Sequence, residues 1–159
     1  MTQSSSIGVK PAAPLGMAIE YRTLVRAPRA AVYHALTTAE GLDQWFTSGA
    51  EVVPEPGGVM HLRWRDWGAG RVNVEDRGEV VEVVAPQRFV FRWHGNGPDS
   101  EPTTVELDFL EEQRGTIVSV HESGYEDSDR GRAGFVSCCA GWGEALALLK
   151  FYVERGVTY

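Results

Sequence analysis

The five tryptophans of this 159-residue chain are the side chains best suited to hold a ligand; they are Trp45, Trp64, Trp67, Trp93 and Trp142. An indole buries a large apolar area and stacks on planar molecules, so a cavity with several indoles would bind a planar apolar compound. Trp64, Trp93 and Trp142 are the stronger candidates because they fall on faces predicted to point inward. The alternative, that the rings fill the core themselves, stays open.

Glu122 is the most informative polar residue, because it ends an alternating strand pattern in which Val118 and Val120 share its face. A carboxyl group on an apolar face costs free energy unless it is hydrogen-bonded. So placed, it can orient a ligand or act as a general base. In the alternative interpretation Glu122 reaches solvent at the strand end or caps the turn at Gly124.

Histidine and cysteine give weaker signals. His61 and His121 are out of phase with the apolar positions and are predicted to face solvent, whereas His94 follows a strand end where it could reach a pocket rim. No metal-ligand spacing occurs, so we predict neither a metal nor a cofactor. Cys138 and Cys139 are adjacent on a predicted helix, where neighbouring side chains diverge too far for an ordinary disulfide.

Four polar residues near the ends of the middle strands are further candidates for contacts at a pocket mouth, although a solvated strand face explains them equally well. They are Asp66, Arg71, Asn73 and Glu75.

Composition and charge exclude several classes of function. The formal charge is −7 and the arginines are scattered, so no basic stripe is available for a nucleic-acid backbone. No apolar run approaches the ~20 residues of a membrane span, and the polar start lacks a signal-peptide profile. We therefore predict no nucleic-acid partner, no membrane insertion and a cytoplasmic location.

The chain length fits one domain. Residues 1–16 are rich in Ser, Pro, Ala and Gly and are predicted to form a flexible N-terminal tail, which leaves 17–159 as the folded domain. A first strand is predicted at 18–26, and Ala27-Pro28 ends it. Two short helices follow. Thr37 and Thr38 end the first and can cap the second, and Thr37 with Glu40 has the capping-box spacing.

After Gly49 the apolar period changes to two, which indicates antiparallel strands with one solvated face. The clearest of these strands are predicted at 71–84, 88–93, 103–111 and 116–122, joined by connections short enough for hairpins. Helical spacing then returns from about 128 to 155 in one long amphipathic helix. These elements predict an α+β helix-grip fold. In it, a curved antiparallel sheet of about six to seven strands wraps around a long C-terminal helix, with two short helices after strand one.

The order of several short motifs carries a family resemblance. The motifs are Ala27-Pro28, the run from Thr37 to Leu42 leading to Trp45-Phe46, Gly57-Gly58, the run from Gly78 to Trp93, Gly115-Thr116, Glu122-Ser123-Gly124-Tyr125 and Gly141-Trp142. Over about 19–156 the chain resembles the Hsp90-ATPase-activator-like (AHSA1-type) branch of the START/Bet v 1-like, or SRPBCC, superfamily. The resemblance implies a ligand-binding domain, and members of that superfamily include lipid carriers, polyketide cyclases and co-chaperone domains.

We predict that the chain binds a small hydrophobic molecule, aromatic or polycyclic, between the long helix and the sheet, with little or no catalysis. The predicted ligand contacts are Trp45, Met60, Trp64, Phe91, Trp93, Phe109, Val120, Glu122, Phe135 and Trp142. Two alternatives stay open: a cyclase, dehydratase or hydrolase acting on a polyketide-like substrate with Glu122 as base, and a co-chaperone-like partner-binding module. We expect a monomer or a homodimer.

Overall fold

The computed structural model of the chain describes residues 10–95, 97 and 99–159. The elements follow the predicted order of strand, two short helices, six strands and one long helix. They are β1 (Ile19–Val25), α1 (Arg29–Thr37), α2 (Ala39–Trp45), β2 (Glu51–Val52), β3 (Val59–Trp67), β4 (Val72–Val84), β5 (Arg88–Trp93), β6 (Thr103–Glu112), β7 (Gly115–Ser123) and α3 (Asp129–Arg155). The α+β helix-grip prediction is confirmed.

All seven strands form one antiparallel sheet in the order β1-β7-β6-β5-β4-β3-β2. From β2 to β7 each strand pairs with the next one in the chain, as short connections require. β1 then pairs with β7 at the other edge. The register places Val105 opposite Glu122 and Phe109 opposite Val118, so the inward faces of β6 and β7 coincide.

α3 covers the inward face of the sheet through its apolar stripe. Trp142, Ala145, Leu146 and Leu149 are buried on this stripe. Ser128 caps the helix by accepting a hydrogen bond from the Gly131 amide at 3.0 Å. The helix contacts both short helices and β1, which is at one edge of the sheet. This packing leaves room between α3 and strands β3 to β5.

Of the two threonines predicted to cap α2, only Thr38 does so, and the capping-box role of Thr37 is wrong. Thr38, not Thr37, is the N-cap, and its hydroxyl oxygen accepts from the Gly41 amide at 3.0 Å. Thr37 is the last residue of α1 and donates its hydroxyl to the Tyr33 carbonyl at 2.7 Å. The helices follow each other so closely that only Thr38 has the extended backbone that a cap requires.

The prediction that His61 faces solvent is also wrong, because only 1% of this residue is exposed. Its Nδ1 is 2.8 Å from an Arg63 guanidinium nitrogen, and its Nε2 is 3.2 Å from a Glu75 carboxylate oxygen. These longer side chains lie against the ring on the outer face of β3. His61 is therefore buried by its neighbours even though it points away from the core. His121, on β7, bonds Glu20 and is partly exposed.

Part of the predicted N-terminal tail makes backbone hydrogen bonds with the segment before α3. The Leu15 amide donates to the Tyr125 carbonyl at 2.8 Å, and the Asp127 amide donates to the Ala13 carbonyl at 2.7 Å. Residues 1–9 of that tail lie outside the described residues. The flexible tail at 1–16 stays a prediction.

In the described part of the chain, one helix, α3, is long and apolar enough to cross a membrane by length and composition. The core helix of a folded domain passes the same test, and α3 packs against β1, α1 and α2. Its composition is therefore weak support for a membrane span.

Candidate functional site

A cavity of about 340 Å³ lies between α3 and the strands β3, β4 and β5, and it is open to solvent on one side. Aromatic and aliphatic side chains dominate its wall. The lining residues are Phe46, Trp64, Trp67, Val72, Val74, Glu75, Asp76, Trp93, His94, Gly95, Gly97, Ser137, Cys138, Gly141, Trp142 and Ala145. Small-molecule sites start at about 300 Å³, so the cavity is large enough for a small organic ligand.

An irregularity in the β3–β4 pairing turns two tryptophans toward the cavity. Trp64 is opposite Val74 and Trp67 is opposite Val72, with a register shift between the pairs. Residues three apart on a regular strand point to opposite faces, whereas the shift lets both rings line the same space. Phe46 contacts both rings edge-on, with centroids 5.3 Å from Trp64 and 6.1 Å from Trp67.

Glu122 fixes the other two indoles of the wall. One carboxylate oxygen accepts from Trp93 Nε1 at 2.9 Å and from the Thr103 hydroxyl at 2.6 Å. The other accepts from Trp142 Nε1 at 2.6 Å. Glu122 is 0% exposed, so the alternative in which it reaches solvent is wrong. The three donors offset the cost of burying the carboxylate and connect β5, β6, β7 and α3.

Asp76 is a second inward-facing carboxylate, and the sequence analysis missed it. It is opposite Leu62 on β3 and shares a face of β4 with Val74. One of its oxygens, Oδ1, accepts from the His94 amide at 3.2 Å, whereas Oδ2 is buried without a hydrogen-bond partner among the described residues. Burial raises the pKa of Asp76, and the His94 amide opposes part of that rise. The sequence pattern that could have revealed Asp76 is its position an even number of residues from Val72, Val74 and Val80, which places all four on the same face of β4.

Cys138 lines the cavity beside Trp142, whereas Tyr125 lines a smaller cavity nearby. Burial raises the pKa of Cys138 to about 11, so the sulfur is a protonated thiol near neutral pH and a poor nucleophile. Burial and, after it, the charge of Glu122 raise the pKa of Tyr125 well above its usual value. The Tyr125 hydroxyl has no partner in hydrogen-bond geometry within the described residues. Both cysteines are free thiols.

The family model described as "Activator of Hsp90 ATPase homolog 1-like protein" matches residues 26–154, which includes every strand from β2 to β7 and nearly all of α3. The chain belongs to this family. The match confirms the resemblance seen in the motifs. No curated protein matches the sequence.

Solved structures of similar shape support the fold. Protein SSP2350 from Staphylococcus saprophyticus has a TM-score of 0.71 and 24% identity, covering 90% of this chain and 96% of that one. The Aha1 dimer from Colwellia psychrerythraea has a TM-score of 0.71 and 22% identity, covering 88% and 98%. DynU16, a putative protein in the dynemicin biosynthetic locus, has a TM-score of 0.74 and 22% identity, covering 89% and 49%.

The ten predicted ligand contacts occupy three different places. Trp64, Trp93 and Trp142 line the cavity. Glu122 fixes two of those rings from behind. The remaining six lie away from this cavity, and as ligand contacts they stay predictions; they are Trp45, Met60, Phe91, Phe109 and Val120, all buried in the core, and Phe135, which packs on Tyr125. The Trp45 ring donates Nε1–H to the Ala35 carbonyl at 3.0 Å.

Of the polar candidates for the mouth, Glu75 belongs to the cavity lining, as does His94. Asp66 and Arg71 instead pair with each other at the exposed β3–β4 turn, and Asn73 donates to the Arg71 carbonyl.

A smaller cavity of about 140 Å³ lies on the other side of Glu122, with a more polar wall that includes Ser100, Glu101 and Arg130. Across residues 10–95, 97 and 99–159, no three His, Cys, Asp or Glu residues cluster in a way that could hold a metal ion.

Proposed function

We propose that the chain binds a small apolar molecule with an aromatic ring in the cavity between α3 and strands β3 to β5. The observation that carries the proposal is the indole wall, because four of the five tryptophans line one open space. Trp93 and Trp142 also contact each other there, with ring centroids 6.1 Å apart. Indole surfaces facing an unfilled space bind planar rings by stacking and by burial of apolar area.

The apolar contacts by themselves support only modest affinity. A bicyclic aromatic ligand that buries on the order of 200 Å² gains about 5 kcal/mol at ~25 cal/mol per Å². The loss of translational and rotational freedom on binding takes away a comparable amount. A tight ligand therefore needs a polar contact in addition to the tryptophans.

The family and the structural neighbours are compatible with this proposal. The family model and the helix-grip architecture fit a fold that binds hydrophobic ligands. DynU16 is described as a putative protein in a biosynthetic locus, and a protein that handles a small organic molecule fits such a setting.

The enzyme alternative with Glu122 as base has less support. Both carboxylate oxygens already accept hydrogen bonds from protein donors, and the residue is 0% exposed. A general base must reach the proton that it abstracts. The partner-binding alternative is tested separately, by a pull-down with Hsp90.

Gly141 offers a direct test, because it lines the cavity and a Cβ atom added there would have no neighbouring heavy atom within 4 Å. We expect Gly141→Phe to fill the space and to weaken binding of the uncharged fluorescent probe N-phenylnaphthylamine at least tenfold, since the ring takes the ligand's place. Probe emission in a titration measures the affinity.

Two variants control for the substitution itself. Gly141→Ala removes the glycine without filling the cavity, and Ala140→Phe adds the same ring at an exposed neighbouring position that does not line it. Both should bind the probe within about threefold of the unmodified protein. Equal probe affinity in Gly141→Phe and Ala140→Phe, or no binding by the unmodified protein, would refute the proposal.

A further inference from the structure

We propose that the ligand is an aromatic amine whose protonated amino group pairs with Asp76, an inference that rests on the proposed function. The tryptophans and valines hold the ring system, and the carboxylate holds the cation. Asp76 is thus the polar specificity residue of the cavity.

The placement of Asp76 gives the cavity two chemically different ends. Val72, Val74 and Asp76 follow one another on the same face of β4, and all three line the space. At ~3.3 Å per residue, Val72 and Asp76 are about 13 Å apart along the strand. Trp67 is opposite Val72 at the open hairpin end, whereas Leu62, in the core, is opposite Asp76. A ligand lying along β4 therefore has its apolar part outside and its polar part inside.

One carboxylate oxygen of Asp76, Oδ2, is buried without a hydrogen-bond donor among the described residues. A carboxylate can accept about four hydrogen bonds. Asp76 receives one in good geometry, from the His94 amide, and the Arg77 amide also acts on it. Glu122, which is fully buried where Asp76 is half-buried, receives three. The Cβ–Cγ torsion of an aspartate is soft, so the carboxylate can turn one oxygen to the cavity. A ligand donor there removes the cost of an unsatisfied buried acceptor.

The charge of the wall selects a cation over an anion. None of the residues that line the cavity in the described part of the chain is a lysine or an arginine. The other acidic residue of the wall, Glu75, is paired with Arg63, Arg65 and His61. Asp76 therefore has no lysine or arginine as a partner in the wall. The basic side chains that act on it are the imidazoles of His94, in the wall, and His61, on β3. The net charge of −7 attracts cations at longer range, and indole faces bind ammonium groups.

The test compares three ligands with the same ring system, namely naphthylmethylamine, naphthylmethanol and naphthoate, by calorimetric titration at neutral pH. We expect the amine to bind at least about tenfold more tightly than the alcohol, and naphthoate to bind most weakly, because only the amine completes a charge-assisted pair. Asp76→Asn should reduce the preference for the amine to less than about threefold and leave the alcohol affinity nearly unchanged.

Glu79→Gln is the matched control, because it removes one carboxylate from an exposed position of the same strand and should keep the preference. Equal affinity of the unmodified protein for amine and alcohol would overturn the inference and leave the proposed function standing. Retention of the preference in Asp76→Asn would overturn it as well. No binding of any of the three ligands would overturn the proposed function too. The comparison on the unmodified protein decides the question even if Asp76→Asn folds poorly.

Discussion

Replacement of Glu122 by glutamine should destabilise the domain strongly, although the two side chains have nearly the same shape. The amide oxygen can take the place of Oε1 and keep the bonds from Trp93 and Thr103. The amide nitrogen then faces Trp142 Nε1, 2.6 Å from the atom it replaces, and two donors meet. The flipped amide is worse, because it faces the Trp93 donor in the same way.

The size of the effect follows from these contacts. The variant loses one hydrogen bond to a charged acceptor, about 1.5–3 kcal/mol, and leaves a buried indole donor unsatisfied. We expect a total of about 2–4 kcal/mol, which corresponds to a fall of about 5–15 °C in melting temperature for a domain of this size. Because Trp142 loses its acceptor and its ring is no longer fixed to the group that holds Trp93, the tryptophan emission of the folded variant should move to longer wavelength.

Urea unfolding followed by circular dichroism measures the free energy, and emission spectra report the indole environment. Glu79→Gln, at an exposed site of the sheet, should change stability by less than about 0.5 kcal/mol. If Glu122→Gln were as stable as Glu79→Gln and its emission unchanged, the role of Glu122 as the anchor of the cavity wall would be refuted.

Two further predictions concern the other buried groups of the site. Burial raises the folded-state pKa of Asp76, against partial opposition from His94 and His61, so ionisation favours the unfolded chain. The free energy of unfolding then falls as pH rises through the ordinary carboxyl range to the raised pKa. In urea titrations, Asp76→Asn should therefore be more stable than the unmodified protein at pH 7, and the difference should shrink near pH 4. An equal difference at the two pH values would contradict this prediction. Because burial raises the pKa of Cys138 to about 11, iodoacetamide should modify this thiol slowly at neutral pH in a Cys139→Ser background, and the rate should increase as pH rises toward 11. Bound N-phenylnaphthylamine should lower the rate at each pH, because Cys138 lines the cavity. Mass spectrometry gives the rates, and rapid modification at pH 7 would show that the thiol is not buried.

Local patterns in the sequence were sufficient for the architecture. The two-residue period placed Val118, Val120 and Glu122 on one buried face, and the helical period placed Trp142 and Leu146 on another. These patterns succeed because the side-chain direction is a property of each element alone. The same rule selected Trp64, Trp93 and Trp142 as inward-facing residues, and all three line the cavity.

The same patterns failed where distant contacts decide the outcome. Trp67 turns inward because of a register shift, which depends on how β3 pairs with β4. His61 is buried by Arg63 and Glu75, which approach it on the outer face of the sheet. Asp76 was not predicted as a site residue, and only its shortage of donors, visible in three dimensions, distinguishes it from a satisfied core carboxylate.

The sequence by itself determined the strands, the long helix, the inward faces and the family. Only the tertiary structure decided that α3 packs on β1, α1 and α2 and leaves about 340 Å³ open beside β3 to β5. The reason is physical. Periodicity specifies which side of an element is apolar, whereas a cavity is the small volume left over when all elements pack together, and that remainder depends on every long-range contact at once.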